Sequence, residues 1–268
     1  MSLITPFYLD CVVAIGIPLP NDEKQWIGTG FIVGRYNKEE SGDSKQYNIF
    51  LVTNKHVIAG KEKIVVRFNK TTNAVARDYE INLESVQTKV EHQTHDIVVI
   101  SFNPQVLEQD KVRFSFFRLD ENVFCLKEMK EAGISEGDSC FILGFPLGIV
   151  SPERQYVIVR SGIIARIRDV IDQMDGEYMI DANIFPGNSG SPVILKPEVV
   201  SIHGTNAVNR SVLIGIIESY IPYEDVAVSL QTRLPRVVFQ ENSGLASVIP
   251  VDYILETVDI AFKLLPKH

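Results

Sequence analysis

One hydroxyl stands out in the chain: Ser189, at the centre of Phe185-Pro186-Gly187-Asn188-Ser189-Gly190-Ser191-Pro192-Val193. Glycines on both sides remove the Cβ atoms that would hinder a sharp turn or the close approach of another backbone. A serine hydroxyl at such a turn attacks a carbonyl when a base takes its proton, and convergent amide N–H groups stabilise the oxyanion that forms. Gly187 and Ser189 are the candidate N–H donors, with Asn188 between them. A Gly/Asn/Ser/Pro cluster between apolar runs is also what an ordinary turn looks like. Partners elsewhere must decide between the two.

Five histidines are available. His56 follows the apolar run Ile49-Phe50-Leu51-Val52 through Thr53-Asn54-Lys55, which places it at a strand end, where an imidazole can point into a cleft and exchange protons near neutrality. Asp96 stands immediately before Ile97-Val98-Val99-Ile100. A carboxylate at the lip of an apolar strand needs hydrogen bonds to offset its desolvation, and a histidine Nδ1–H supplies one. A turn residue at a strand start is the plain alternative for Asp96. His92 and His95 stay open as bases, whereas His203, in a polar insertion, and His268, at the end of the chain, have no assigned role.

Other chemistries fit less well. His92, His95 and Asp96 do not have the His-x-x-x-His spacing of a helical metal face, so no metal is expected. Gly28-Thr29-Gly30 is too short for a phosphate fingerprint and reads as a strand bend, so no cofactor is expected either.

The elements that must position these residues are short. Apolar, β-branched runs at 11–17, 28–33, 47–53, 63–68, 97–102, 139–143, 156–164, 178–181, 192–195, 212–217, 237–240 and 246–249 predict an all-β barrel or sandwich. The charged segment 121–137, with Gly133 and Gly137, divides these runs roughly in half and reads as a linker. The expected division is therefore an N-terminal β-barrel at 1–120 with His56 and Asp96, the linker, a C-terminal β-barrel at 138–250 with Ser189, and a helix at 251–268. In that last segment Val251, Ile254, Leu255, Val258, Ala261, Phe262 and Leu265 share one helix face, with Pro250 at its start and Pro266 at its end. The helix is expected to dock on the second barrel. Polar insertions at 37–48, 196–210 and 222–243 read as surface loops.

Composition narrows the function classes. The 268 residues suffice for one large domain or two packed halves, and 45% hydrophobic with 22% charged residues is an ordinary globular balance. A formal net charge of −8 argues against nucleic acid as a partner. The first ten residues lack the basic and apolar regions of an export signal, and no run approaches the roughly 18 apolar residues of a membrane span. Cys11, Cys125 and Cys140 are odd in number and widely spaced, which fits free thiols in a reducing compartment. A cytoplasmic protein without membrane attachment is the expectation, and nothing indicates an oligomer.

Leu51-Val52-Thr53-Asn54-Lys55-His56-Val57, His95-Asp96-Ile97-Val98-Val99 and Pro186-Gly187-Asn188-Ser189-Gly190-Ser191-Pro192 resemble the trypsin/chymotrypsin-like serine peptidases, closest to the HtrA/Deg protease domain. Gly28-Thr29-Gly30-Phe31-Ile32-Val33, Gly144-Phe145-Pro146-Leu147-Gly148, Ile180-Asp181-Ala182-Asn183 and Val248-Ile249-Pro250 carry the resemblance along most of the chain. It implies two six-stranded antiparallel β-barrels with a C-terminal α-helix, and His56 as base, Asp96 as its orienter and Ser189 as nucleophile. Gly187, Asn188 and Ser189 would line the oxyanion hole. Asn183 would form the floor of the substrate pocket and Ile217, Glu218, Ser219 and Tyr220 its wall, with small or aliphatic P1 residues favoured.

Departures from the pattern are informative. Asn188 replaces the aspartate that receives a new N-terminus in trypsin-type zymogens, so that activation route is not expected. With the sequence running only to residue 268 after the helix, a PDZ domain is not expected. Ser191 resembles the glutamyl endopeptidase wording, but Ile217 replaces the histidine typical of that group. By the same alignment the Glu218 side chain approaches Asp96. The resemblance implies a serine endopeptidase acting on protein or peptide substrates. A protease-fold scaffold gated by a partner is the alternative from another class. An esterase lacks support because Ser189 is not in a Gly-x-Ser-x-Gly strand-to-helix turn.

Overall fold

The structure is a computed structural model that describes residues 4–37, 45–72, 74–198 and 208–266. His203 and His268, and most of the insertions around 37–48 and 196–210, lie outside these residues.

The first half forms one sheet from β1 (Val12–Pro18), β2 (Lys24–Tyr36), β3 (Tyr47–Thr53), β4 (Lys63–Phe68), β5 (Arg77–Asn82), β6 (Lys89–Glu91), β7 (Val98–Phe102) and β8 (Phe117–Arg118). Its order is β5-β4-β1-β2-β3-β7-β6, with β8 running parallel to β2. The second half is a closed barrel, β10-β11-β14-β13-β12-β9, built from β9 (Ser139–Gly144), β10 (Ile158–Arg166), β11 (Tyr178–Asp181), β12 (Pro192–Leu195), β13 (Val212–Val228) and β14 (Pro235–Pro250). The expected all-β, chymotrypsin-like architecture is thus present: the second barrel closes on six strands, and the first half is a half-barrel of eight.

The apolar runs are continuous because many strands are buried on both faces. Successive side chains of a strand alternate. On β3, Ile49 and Leu51 enter one core with Ile15, Ile32, Val98 and Ile100, while Phe50 and Val52 enter another with Phe31, Val33 and Val99. The second barrel is divided alike. Val193 and Leu195 of β12 face its interior with Ile142, Ile180 and Ile214, whereas Ile194 turns outward. The outward sets of both halves, including Phe141, Leu143, Leu213 and Ile216, form one shared layer. The two halves are therefore held together by apolar burial.

Short helices interrupt the strands: α1 (Pro6–Asp10), α2 (Lys55–Ile58), α3 (Pro104–Gln109), α4 (Leu126–Ala132) and α5 (Arg168–Gln173). The segment read as a linker contains α4, whose entry is fixed by the Cys125 N–H donating to Glu128 Oε2 at 2.8 Å. The C-terminal helix α6 (Val251–Leu264) has the expected apolar face. It docks on both halves, since Val251, Ile254, Val258 and Ala261 join the shared layer and Asp259 bonds Arg35 Nε of β2 at 2.6 Å.

Besides the docking of α6, two sequence expectations change. Strands β5, β6 and β8 escaped notice because they are short or half-charged; β5 lies at the sheet edge and carries Asp78 and Glu80, paired to Arg67 and Lys63 of β4. The segment 222–243, read as a loop apart from the apolar run 237–240, is instead a hairpin in which β13 and β14 extend well beyond the barrel. A two-stranded ribbon exposed on both faces needs no apolar alternation, so Pro222, Pro235 and the acidic residues Glu224, Asp225 and Glu241 within the strands masked it. Between 223 and 241 all side chains are exposed except half-buried Ser229. Replacing 223–241 with an Asn-Gly turn should therefore leave the Tm within about 4 °C of the parent in a thermal melt.

Candidate functional site

His56 lies on the single turn of α2, immediately after the buried strand β3 and buried Asn54. Asp96 holds it at two points. The His56 backbone N–H donates to Asp96 Oδ1 at 3.1 Å, and the His56 Nδ1–H meets Asp96 Oδ2 in a short hydrogen bond. With its proton on Nδ1, the ring leaves Nε2 as an acceptor facing away from Asp96. Burial raises the Asp96 carboxyl pKa, but the His56 hydrogen bond and charge and the backbone amides of His56 and Lys55 outweigh it. The net position is below the ordinary aspartate value.

The Asp96 loop is fixed separately. Asn54 Nδ2 donates to Asp96 O at 2.7 Å, and Lys55 Nζ to His92 O at 3.0 Å. His92 Nδ1 accepts the Thr94 and His95 N–H groups at 3.2 and 3.0 Å, so this buried ring organises the loop. The His95 ring stacks on Tyr253 of α6 with centroids 3.7 Å apart and meets Glu177 at 3.2 Å. Of the three histidines open as bases, only His56 bonds the Asp96 carboxyl.

The residues before Ser189 form a type II turn. Asn188 N–H donates to Phe185 O at 3.0 Å, Pro186 occupies the second position, and Gly187 the third with φ +95°. Leu147 N–H donates to Pro186 O at 2.6 Å. Because the C=O and N–H of one trans peptide point in opposite directions, this bond turns the Gly187 N–H away from Leu147. Among the described residues neither the Gly187 nor the Ser189 N–H has an acceptor, whereas the Asn188 N–H closes the turn. Gly190, at φ +84°, is the second position that requires glycine, because a Cβ there would run into Thr29 O.

Thr29 is the residue that sequence reasoning missed. Its N–H donates to Ser189 O at 3.0 Å and its hydroxyl to Gly187 O at 2.7 Å, while the hydroxyl accepts Phe145 N–H at 3.1 Å. Thr53 Oγ1 donates to Thr29 O at 2.8 Å. Strand β2 thus holds the Ser189 turn against the first half of the molecule. The signal was present in Gly28-Thr29-Gly30: two glycines flank a hydroxyl because other segments press on this strand. A Cβ on Gly28 would lie 2.7 Å from Val57 Cγ1 of α2 and 3.5 Å from Ser189 O. The His56 helix and the Ser189 backbone therefore meet over Gly28. At rest the Ser189 hydroxyl makes no hydrogen bond with the His56 ring among the described residues.

The residues assigned to a substrate pocket differ in burial. Asn183 is exposed, with its carbonyl bonded by Arg160 Nη1 at 2.7 Å. Ile217 is buried in the second barrel's core and Tyr220 packs at the edge of that core. Ser219 is exposed, and the Glu218 carboxyl turns toward Glu177. Ile217 also ties its strand to the Ser189 turn: its N–H donates to Ser191 O at 2.9 Å and its carbonyl accepts Gly190 N–H at 3.2 Å.

A half-barrel and a closed barrel with a His–Asp pair on one and a glycine-flanked serine turn on the other define a chymotrypsin-like fold. Residues 28–200 match the Trypsin-like peptidase domain family, and the chain belongs to it. Two solved structures are similar in outline, each with 12% sequence identity and a TM-score of 0.48. The protease Anisep from Arthrobacter nicotinovorans is covered over 95% of its length by 94% of this chain. Kallikrein-related peptidase 10, in complex with Zn2+, is covered over 96% by 95% of this chain.

Thr29→Val keeps the side chain's shape but strands Gly187 O and Phe145 N–H in a buried place. It should cost about 2–6 kcal/mol in a denaturant melt, the sum expected for two unsatisfied buried groups.

Proposed function

We propose that this chain is a serine endopeptidase that cleaves peptide bonds through an acyl-enzyme, with His56, Asp96 and Ser189 as its triad. The supporting observation is the two-point contact of Asp96 with His56, which leaves Nε2 as the free acceptor. Nε2 takes the Ser189 Oγ proton as Oγ bonds the substrate carbonyl carbon. The tetrahedral oxyanion accepts hydrogen bonds from the Gly187 and Ser189 N–H groups. The imidazolium then protonates the leaving amine as the C–N bond breaks, and water repeats the sequence on the acyl-enzyme with His56 again as base.

Within the family we assign the chain to the HtrA/Deg type on its triad wording, with small or aliphatic P1 residues preferred. We divide it into the two barrel halves, the α4-containing connection and the C-terminal helix. A cytoplasmic location agrees with three free cysteines, two of them buried. Among the described residues no helix is long and apolar enough to cross a membrane. The missing Ser189–His56 hydrogen bond favours a second reading, a protease-fold protein gated by a partner; apo sites, however, commonly tighten this bond only with substrate.

Labelling by a fluorophosphonate probe separates the two. The parent should label at Ser189 and Ser189→Ala should not. Asp96→Asn should slow labelling by about 10⁴-fold, the effect of a wrong tautomer. His56→Ala should slow it comparably. A folded parent that never labels favours the gated reading.

A further inference from the structure

Glu218 sits where the ladder between β13 and β14 slips. Ile217 pairs with Val248 but Ser219 pairs with Ser247, so Glu218 is the extra residue of a β-bulge. A bulge re-aims a side chain, and bulges are frequent beside active sites. The next residue, Ser219, pairs with Ser247, whose hydroxyl bonds Glu177, so the bulge sets the Glu218 carboxyl beside Glu177, the residue just before β11.

Two carboxyl groups in such contact resist ionising together, so below neutrality one of them holds a proton. The surroundings decide which. Ser247 Oγ of β14 donates to Glu177 Oε2 at 2.7 Å, and His95 Nδ1 of the Asp96 loop lies 3.2 Å from Glu177 Oε1. Glu177 is thus the acceptor, with its pKa below the ordinary glutamate value: burial raises it, but contacts from Glu218, Ser247 and His95 prevail. Glu218 is the proton holder. Burial, Glu177 and the charge of Asp96 push its pKa up to about 7. From α6, Tyr253 stacks on His95 and bonds Asp175, whose pKa that bond and the Gly176 amide lower. On the other side of that loop, Glu256 of α6 lies 3.5 Å from His92 Nε2.

We propose that Glu218 is a positioning residue acting through Asp96: by holding a neutral carboxyl against Glu177, it keeps a second negative charge away from the His56–Asp96 pair. This rests on the serine-peptidase reading of that pair. When Glu218 loses its proton, the added anion strengthens the hold of His56 on its own proton. Less of the base is then neutral at a given pH. The two ionisations oppose each other near neutrality, and the acid limb of the pH–rate profile is stretched.

Two isosteric variants move this limb in opposite directions. Glu218→Gln removes the proton holder's charge permanently, so the limb should steepen and move down by about 0.5–1 pH unit, the size expected for one nearby charge in a half-buried site. Glu177→Gln removes the anion that keeps Glu218 neutral. Glu218 then ionises at lower pH, and the limb should move up. General loosening of the site would move both variants the same way.

The measurement is the second-order rate of fluorophosphonate labelling from pH 5 to 9, with the His56 ring titrated by NMR in all three proteins. Opposite shifts in both readouts support the proposal. Shifts under about 0.2 unit in both variants, or in the same direction, overturn it. If the folded parent never labels, the peptidase reading falls while the NMR titration still decides whether Glu218 acts on His56.

Discussion

The Thr29 hydroxyl bonds two backbones at once, donating to Gly187 O and accepting from Phe145 N–H, while its own N–H holds Ser189 O. All of this happens on a fully buried side chain, where an unmade hydrogen bond is expensive. The geometry of the candidate site depends on it. His56 and Asp96 belong to the first half of the molecule and Ser189 to the second, and apolar packing between halves is non-directional. Apolar burial brings the halves together; directed bonds from one threonine fix where the serine turn stands relative to β2. Leu147 completes the arrangement by holding Pro186 O, which sets the peptide whose other end is the Gly187 N–H.

Electrostatics imposes the complementary constraint. A base–carboxylate pair works only if the carboxylate stays ionised, and Asp96 achieves this through amides and the His56 ring despite partial burial. Two further carboxyls close behind it would undo the arrangement if both were charged. The bulge at Glu218 resolves the conflict by pairing it with Glu177, so that a shared proton removes one charge and Ser247 and His95 absorb the other. The local charge is thereby set by backbone register as much as by residue type.

Different parts of this arrangement were legible in the sequence to different degrees, for physical reasons. The words around His56, Asp96 and Ser189 are local, and each requires a particular backbone or neighbour, so they stand out. The doubly buried strands appear as continuous apolar runs such as Ile49-Phe50-Leu51-Val52. Thr29 did not stand out, because its role lies in contacts with residues more than a hundred positions away, as at Gly187 and Phe145. Alignment aims Glu218 toward Asp96 but cannot place Glu177 beside it, since Glu177 reaches it only through the closure of the barrel. The ribbon formed by β13 and β14 was hidden because, outside the core, pairing is decided by backbone hydrogen bonds that leave little trace in side-chain pattern.

These constraints also fix when a working site can exist. Half of the candidate oxyanion hole depends on a peptide held by Leu147, and the turn as a whole depends on Thr29 of the opposite half. In a chain in which only the first half had formed, the bonds of Asn54, Lys55 and the 92–97 loop would still draw His56 to Asp96, though without the support of Tyr253 and Glu177. Such a chain would lack a positioned serine. The His56–Asp96 pair is thus a property of one half, whereas the placement of Ser189 is a property of the interface. Helix α6 reinforces that interface from the outside, because its apolar face lies in the shared layer while Tyr253 packs on His95, next to Asp96. Loosening α6 would therefore disturb both the packing between the halves and the loop that aims the carboxylate.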